Sequence, residues 1–307
     1  MTTTFIAVSA VLLVVFALWG KRKRQRRLNT VEVITLPAVV ASQLGNQRDI
    51  KVYLPPRYRE REGERFEVLY INDGQECDAL GLHDTLARLS TAGRIRPVIA
   101  VAIPTNENRL HEYGTSVAMN ELGLGTLAPA YSHFIVHELM PLIDEIFRTK
   151  PGAVLLGVSL GGLSAFDIAW NHPEQFSAVG VLSGSFWWRA GDEEEKIDAG
   201  RRIVHSLVRQ AACPPPFRIF LQTGTRDEVT DRDGDGVIDA IQDTQELIAE
   251  LRATGCPPEQ ITYVEVLGGR HDFETWARVL PVFLEWAFSP AQGRPTEAMS
   301  SDYRRPR

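Results

Sequence analysis

The sequence predicts an α/β fold, one domain built on a mainly parallel central sheet with helices on both faces. Three observations predict it. Short, continuously apolar runs recur through residues 31–290, segments of helical spacing alternate with them, and no internal repeat or linker interrupts the alternation. Such a body, about 260 residues long, sits at the upper end of what a single core holds.

The elements follow in order. Two β-rich pieces, 31–40 and 49–54, come first, and Pro55-Pro56 ends the second. FEVLYIN (66–72) is a buried strand that stops at Asp73-Gly74, 79–91 has a helical pattern, and 97–103 (PVIAVAI) is another buried strand. Residues 131–147 place Phe134, Ile135, Leu139, Leu142, Ile143 and Ile146 on one helical face. AVLLGVS (153–159) is a strand, 160–170 a helix and 178–182 a strand; RIFLQTG (218–224) is a strand, 244–254 a helix, ITYVEVL (261–267) a strand and 273–288 the closing helix. The tail, 291–307, rich in Gly, Pro, Ser and Arg, is expected to be disordered.

Charge is unevenly spread. The net charge of the 307 residues is −6, yet residues 1–30 carry six basic side chains (Lys21, Arg22, Lys23, Arg24, Arg26, Arg27) and no acidic one, while residues 31–290 have a net charge of −14. An acidic body excludes a phosphate-tracking nucleic-acid surface. Apolar residues at 44% and charged residues at 23% exclude a disordered chain. Cys77, Cys213 and Cys256 are scattered and odd in number, so buried free thiols are expected rather than a disulfide framework or a thiolate metal site.

Residues 2–20 are uncharged and contain the apolar run FIAVSAVLLVVFALW, near the lower limit for a membrane-spanning helix. KRKRQRR follows the run, whereas a cleavable signal peptide carries its positive charge ahead. The expectation is a transmembrane anchor at 1–20, a basic juxtamembrane segment at 21–30 and, by the positive-inside rule, a cytoplasmic catalytic body.

The chemistry centres on Gly157-Val158-Ser159-Leu160-Gly161. This G-x-S-x-G pattern lies between a predicted strand and a predicted helix, where a sharp turn exposes the serine hydroxyl above a sheet. A serine needs a base, and the base needs an orienting acid; on such a turn both follow the serine in chain order. Asp227 lies just past the strand 218–224, with Glu228 as the neighbouring alternative, and His271 lies past the strand 261–267. The oxyanion would take the N–H of Leu160 and one from the loop after 66–72, for which Gln75 is the choice and Gly74 the next. Of the other histidines, His133 and His137 share a helix face, but Phe134 and Val136 stand where a zinc-protease helix has its glutamate, so a metal role is rejected.

VYLPPRY (52–58), VLYINDGQ (68–75), the GVSLGG turn, SGSFWW (183–188) and HDFETW (271–276) together resemble the putative-esterase group of α/β-hydrolases, which includes enterochelin esterases, feruloyl esterases and S-formylglutathione hydrolases. The resemblance implies an α/β-hydrolase fold, ester hydrolysis of a small molecule without a catalytic cofactor, and Ser159, Asp227 and His271 as the triad. Trp187 and Trp188 are candidates to wall an aromatic group, and Arg226, with Arg109, Arg189 and Arg270, is a candidate for a local positive pocket.

Residues 231–239, DRDGDGVID, resemble the first nine positions of an EF-hand loop. Asp231, Asp233, Asp235, the Val237 carbonyl and Asp239 would converge on a structural Ca²⁺ beside the catalytic acid, with Gln242 where the usual glutamate stands. A calcium loop fits an extracytoplasmic body better than a cytoplasmic one, so the side of the membrane stays open. The reading is a membrane-anchored serine ester hydrolase, with acyl transfer on the same triad, or a non-catalytic binding domain on this fold, as the alternatives. The sequence is silent on oligomeric state.

Overall fold

Side-chain alternation decides how the sheet is buried. The computed structural model describes residues 29–191, 201–290 and 303–304, and among them nine strands form one sheet: β1 (Glu32–Ala41), β2 (Asn46–Leu54), β3 (Glu67–Asn72), β4 (Val98–Ile103), β5 (Ala153–Val158), β6 (Phe176–Leu182), β7 (Arg218–Arg226), β8 (Ile261–Arg270) and β9 (Tyr303–Arg304). Their order is β1-β2-β4-β3-β5-β6-β7-β8-β9. The six from β4 to β8 run parallel, and antiparallel pairs close both edges. In β4 every residue is buried, with Ile99, Val101 and Ile103 in one core and Val98, Ala100 and Ala102 in the other. That is why its sequence is apolar throughout instead of alternating.

Two helical layers supply those cores. On one face lie α1 (Leu82–Thr91) and α8 (Phe273–Phe288), packed against each other. Between them in sequence come the short α2 (Arg109–Glu112), then α3 (Ala128–His133) and α4 (Met140–Ile146), α5 (Ser159–Asn171), α6 (Ile203–Arg209) and α7 (Asp239–Ala253); α3 to α7 contribute to the opposite core. The helix expected at 131–147 is one continuous path with a π turn at Phe134–Leu139 between α3 and α4. Pro141 has no N–H for the carbonyl four residues back, and the wide turn lies directly before it.

Several expectations need correction. α7 begins at Asp239, five residues earlier than its apolar spacing indicated, and α6 was not anticipated. Within the tail expected to be disordered, Tyr303–Arg304 forms β9, and Tyr303 Oη donates to the Arg278 carbonyl at 3.0 Å. Cys77 and Cys256 are buried, but Cys213 is exposed; burial pushes the Cys77 thiol up to about 12, so it is inert as a nucleophile at neutral pH. The anchor expected at 1–20 and the basic residues up to Arg27 lie outside the described residues. Among the described residues no helix is long and apolar enough to cross a membrane.

One buried carboxylate makes the fold pH-sensitive. Asp167 of α5 accepts hydrogen bonds on Oδ2 from the Ser116 N–H (2.8 Å) and hydroxyl (2.7 Å), tying the loop after α2 to α5, while Oδ1 has no hydrogen-bond partner among the described residues. Burial raises its pKa to about 6. Between about pH 4 and about 6 the folded chain keeps a proton that the unfolded chain releases, so this group's contribution to stability falls as pH rises through that window. Asp167→Asn should therefore gain stability relative to the parent from pH 4 to pH 6.5, by up to about 3 kcal/mol, as read from urea melts at each pH.

Candidate active site

The parallel strands end on one edge of the sheet, and the chemistry collects there. Ser159 follows β5 directly and opens α5 with φ at +55°, a left-handed conformation rare for a side chain of its kind. The chain can turn this sharply only because Gly157 lacks a side chain, since a Cβ there would stand 2.0 Å from the Gly161 carbonyl oxygen. Val154 and Leu156 on one face of β5, with Ala153 and Leu155 on the other, anchor the strand in both cores.

β7 and β8 deliver the partners. His271 Nε2 lies 2.8 Å from Ser159 Oγ. Its Nδ1 stands 3.2 Å from Asp227 Oδ1, within ion-pair reach but out of hydrogen-bond alignment, and that buried oxygen has no hydrogen-bond partner among the described residues; Asp227 Oδ2 accepts from the Gly224 N–H at 3.3 Å. Glu228, the alternative acid, instead accepts from the backbone of Ala240, and burial raises its pKa. The His271 backbone is fixed by a cap: Asp272 Oδ1 accepts from the Thr275 N–H at 2.8 Å, and the Arg270 N–H donates to Thr275 Oγ1 at 2.9 Å. The imidazole meets the Trp276 ring edge-on, 5.1 Å between centroids, and Trp276 Nε1 donates to Ser183 Oγ at 2.9 Å. Sequence reasoning passed over Trp276 and Ser183, although the spacing of His271 and Trp276 puts the ring one turn into α8, under the histidine.

The expected oxyanion donors lie on two elements that are tied together. Neither the Leu160 nor the Gln75 N–H has an acceptor among the described residues. Asn72, at the end of β3, donates through Nδ2 to the Gly161 carbonyl at 2.8 Å, and its Oδ1 accepts from Tyr131 Oη at 2.8 Å. The loop bearing Gln75 is thus fastened to the helix bearing Leu160. Gly74, the second choice of donor, is pressed onto β4, where a Cβ would come within 2.5 Å of the Ala102–Ile103 backbone.

The substrate-wall candidates separate. Trp187 is 43% exposed, whereas Trp188 is 1% exposed, with its ring against Gly114 and Gly125; Trp188 is a core residue and not a substrate contact. The two rings nevertheless stay in contact range, 5.6 Å between centroids and tilted by 52°, with one at the surface and the other beneath it in the core. Arg226 is exposed, one residue before Asp227 and opposite Arg270 in the β7–β8 ladder. Arg109 is engaged by Asp73, and Arg189 donates to the Trp187 carbonyl at 3.1 Å, so the four arginines do not form one free cluster.

In the acidic loop, oxygens of Asp231, Asp233 and Asp235 lie within 4.8 Å of one another. Asp239 does not join them, because its carboxylate accepts from the Arg232 N–H at 2.9 Å and stands 3.5 Å from Arg232 Nε. The Val237 N–H donates to Asp235 Oδ1. Three carboxylates, not four, could hold a hard cation. The His133 and His137 rings lie tilted with centroids 4.9 Å apart, and His137 meets His172 at 5.6 Å, at the end of α5 away from Ser159.

Comparison with known proteins bears on this arrangement. The sequence model of a family described as "Putative esterase" matches residues 41–287. The chain belongs to this family. Membership makes it a carboxylic ester hydrolase by class. Bacillus subtilis YbbA, an uncharacterized protein, is 24% identical over 255 residues, 80% of this chain and 93% of YbbA. The iron(III) enterobactin esterase of Escherichia coli K12 is 32% identical over 151 residues, 46% of this chain but 32% of that protein. The enterobactin esterase FES from Shigella flexneri, solved in the presence of 2,3-di-hydroxy-N-benzoyl-glycine, shares the fold with a TM-score of 0.63 at 22% identity, covering 83% of this chain and 58% of that one. The chain therefore spans only about a third to three fifths of the enterobactin esterases it matches.

Trp276 should prove to be a support for the histidine. Trp276→Phe keeps an aromatic edge but loses the bond to Ser183, and should lower kcat several-fold; Trp276→Ala frees the ring and should lower it roughly a hundredfold, the order of loss expected from about 1 Å of misplacement. Steady-state kinetics on a chromogenic ester reads both.

Proposed function

We propose that this family member hydrolyses esters of aromatic carboxylic acids through an acyl-enzyme on Ser159. The observation that carries the reading is the 2.8 Å approach of His271 Nε2 to a serine hydroxyl held at a strained strand–helix turn. His271 takes the Ser159 proton as Oγ attacks the ester carbonyl carbon. The imidazolium that forms is stabilised and oriented by Asp227, and the oxyanion is received by the N–H groups of Leu160 and Gln75. Collapse breaks the bond to the alcohol, which leaves with the proton from His271. Water, deprotonated by His271, then attacks the acyl-enzyme, and the acid departs as Ser159 regains its proton.

The aromatic preference is supported by Trp187, an exposed ring two residues beyond Ser185, whose N–H donates to the Ser159 carbonyl at 3.2 Å. It is supported as well by the similarity to an endo-1,4-beta-xylanase/feruloyl esterase of Xylanibacter ruminicola, 28% identical over 161 residues, since a feruloyl ester is the ester of an aromatic acid. The net charge of −14 over residues 31–290 disfavours a polyanionic substrate, so a neutral aromatic ester fits better than a ferric catecholate.

Ser159→Ala and His271→Ala should reduce hydrolysis of p-nitrophenyl and feruloyl esters to background. Asp227→Asn should cost roughly 10³- to 10⁴-fold in kcat, while Glu228→Gln stays near the parent. Equal rates for Ser159→Ala and the parent would leave only a binding role for the fold.

We also infer that Asp231, Asp233 and Asp235 take a structural Ca²⁺ that steadies the segment between Asp227 and α7. Added calcium should raise the melting temperature of the parent and not that of Asp231→Asn, and a chelator should reverse the gain. An unchanged melting temperature with calcium would remove the cation from the account.

A further inference from the structure

The turn after β3 is bound more heavily than its length requires. Asp73 sits there with φ at +55° and ψ at 46°, left-handed without being glycine, and its carbonyl accepts the Glu76 N–H at 2.9 Å to begin a short 3₁₀ turn. Its carboxylate, 4% exposed, receives four donors: Arg109 Nε at 2.6 Å and Thr105 Oγ1 and Gln75 Nε2 at 3.2 Å on Oδ1, and Arg109 Nη2 at 2.8 Å on Oδ2. The Asp73 N–H donates to Tyr113 Oη at 2.8 Å, and the Arg109 guanidinium lies over the Tyr113 ring, 5.1 Å from its centroid. Both ends of the Gln75 side chain are engaged as well, since Oε1 accepts from the Thr105 N–H at 3.0 Å and Nε2 donates to Thr105 Oγ1 at 3.1 Å. Of the polar groups of Gln75, the backbone N–H is the donor left without an acceptor.

We propose that the Asp73–Arg109 ion pair is a positioning device that holds the Gln75 N–H in place for the oxyanion. The idea rests on the triad mechanism above. Residues held in a sparsely populated backbone region persist where their surroundings over-determine them, and such strain gathers at functional sites. Here the surroundings come from three places: α2 through Arg109, the loop after β4 through Thr105, and α5 through Gly161, which packs so closely that a Cβ would stand 2.7 Å from Asp73 Oδ2. The bidentate fork is the part only arginine supplies. A planar guanidinium fixes the carboxylate in rotation as well as in position, whereas an ammonium is a point charge. With the carboxylate fixed, Thr105 and Gln75 are aligned on it and the 3₁₀ turn cannot rotate its free N–H away from Ser159. Neither Asp73 nor Arg109 needs to touch the reacting atoms.

The experiment uses the full chain with Arg109→Lys, Asp73→Asn and the double variant, each first matched to the parent in melting temperature and circular dichroism. Asn tolerates the left-handed conformation, so Asp73→Asn removes the charge and keeps the turn. Should Arg109→Lys not fold, Asp73→Asn alone carries the test. On a chromogenic short-chain ester, kcat should fall about 10- to 100-fold, less than the roughly 10²- to 10³-fold of a deleted oxyanion donor, with KM within about twofold of the parent. The double variant should be no worse than the poorer single one, because the two residues act as a unit. Affinity for an alkylboronic acid, which forms a tetrahedral adduct on serine, should drop by the same factor as kcat. Parent-like kcat in both single variants overturns the proposal. So does a rise in KM with kcat intact, which would make Arg109 a substrate contact. Full activity in Ser159→Ala would overturn the triad mechanism itself; an inactive Ser159→Ala beside parent-like Asp73→Asn and Arg109→Lys would overturn this inference alone.

Discussion

A serine held at φ of +55° between the central strand and its helix is the constraint on which the rest depends. A left-handed residue with a side chain is costly, and it persists because β5 is fastened between β3 and β6 while α5 is packed into the core on one face. The same turn sets three things at once. It lifts Oγ clear of the sheet, leaves the Leu160 N–H without an acceptor among the described residues, and demands glycine at 157 where the strand passes the Gly161 carbonyl. The histidine and the acid then need only be brought to that point, and the neighbouring parallel strands β7 and β8 end on the same edge.

Much of this was legible because strand ends are legible. Apolar runs that stop at glycine or aspartate mark the ends of β3 and β5 to within a residue and those of β7 and β8 to within two or three, since these continue to Arg226 and Arg270, and residues just beyond such ends lie near one another in a parallel sheet. That logic and the chain order pick out Ser159, Asp227 and His271, whose side chains the fold brings together. What escaped was decided by pairing across distance. Nothing in the sequence joins Asp73 to Arg109, 36 positions apart, and nothing distinguishes Trp187 from Trp188, of which the fold exposes the first and buries the second. Asp239 suits a cation loop by spacing, but Arg232 inside the same loop competes for it. The early start of α7 escaped because its first turn, Asp239–Gln242, overlaps the acidic loop, although Ile241 there is buried.

Polar side chains do unequal kinds of work around the site. Asn72 bridges two elements through its two ends, and the Asp272–Thr275 cap stiffens the backbone on either side of His271 without entering the reaction. Asp167, buried with one oxygen unpartnered among the described residues, lies farther along α5 from Ser159 and couples the loop at Ser116 to the proton concentration. An acidic group can therefore make this protein pH-sensitive without belonging to its chemistry.

On the mechanism proposed above, the 112 positions between Ser159 and its base His271 also set the timing of activity during synthesis. A chain still emerging from the ribosome can complete β5 and its elbow, yet it has no base until β8 is laid against β7 and α8 docks beside α1. Contacts of such long range are the slow ones to form, because the intervening chain must be ordered first. The nascent chain is thus born without its base, and hydrolysis can begin only once nearly the whole sheet has been assembled.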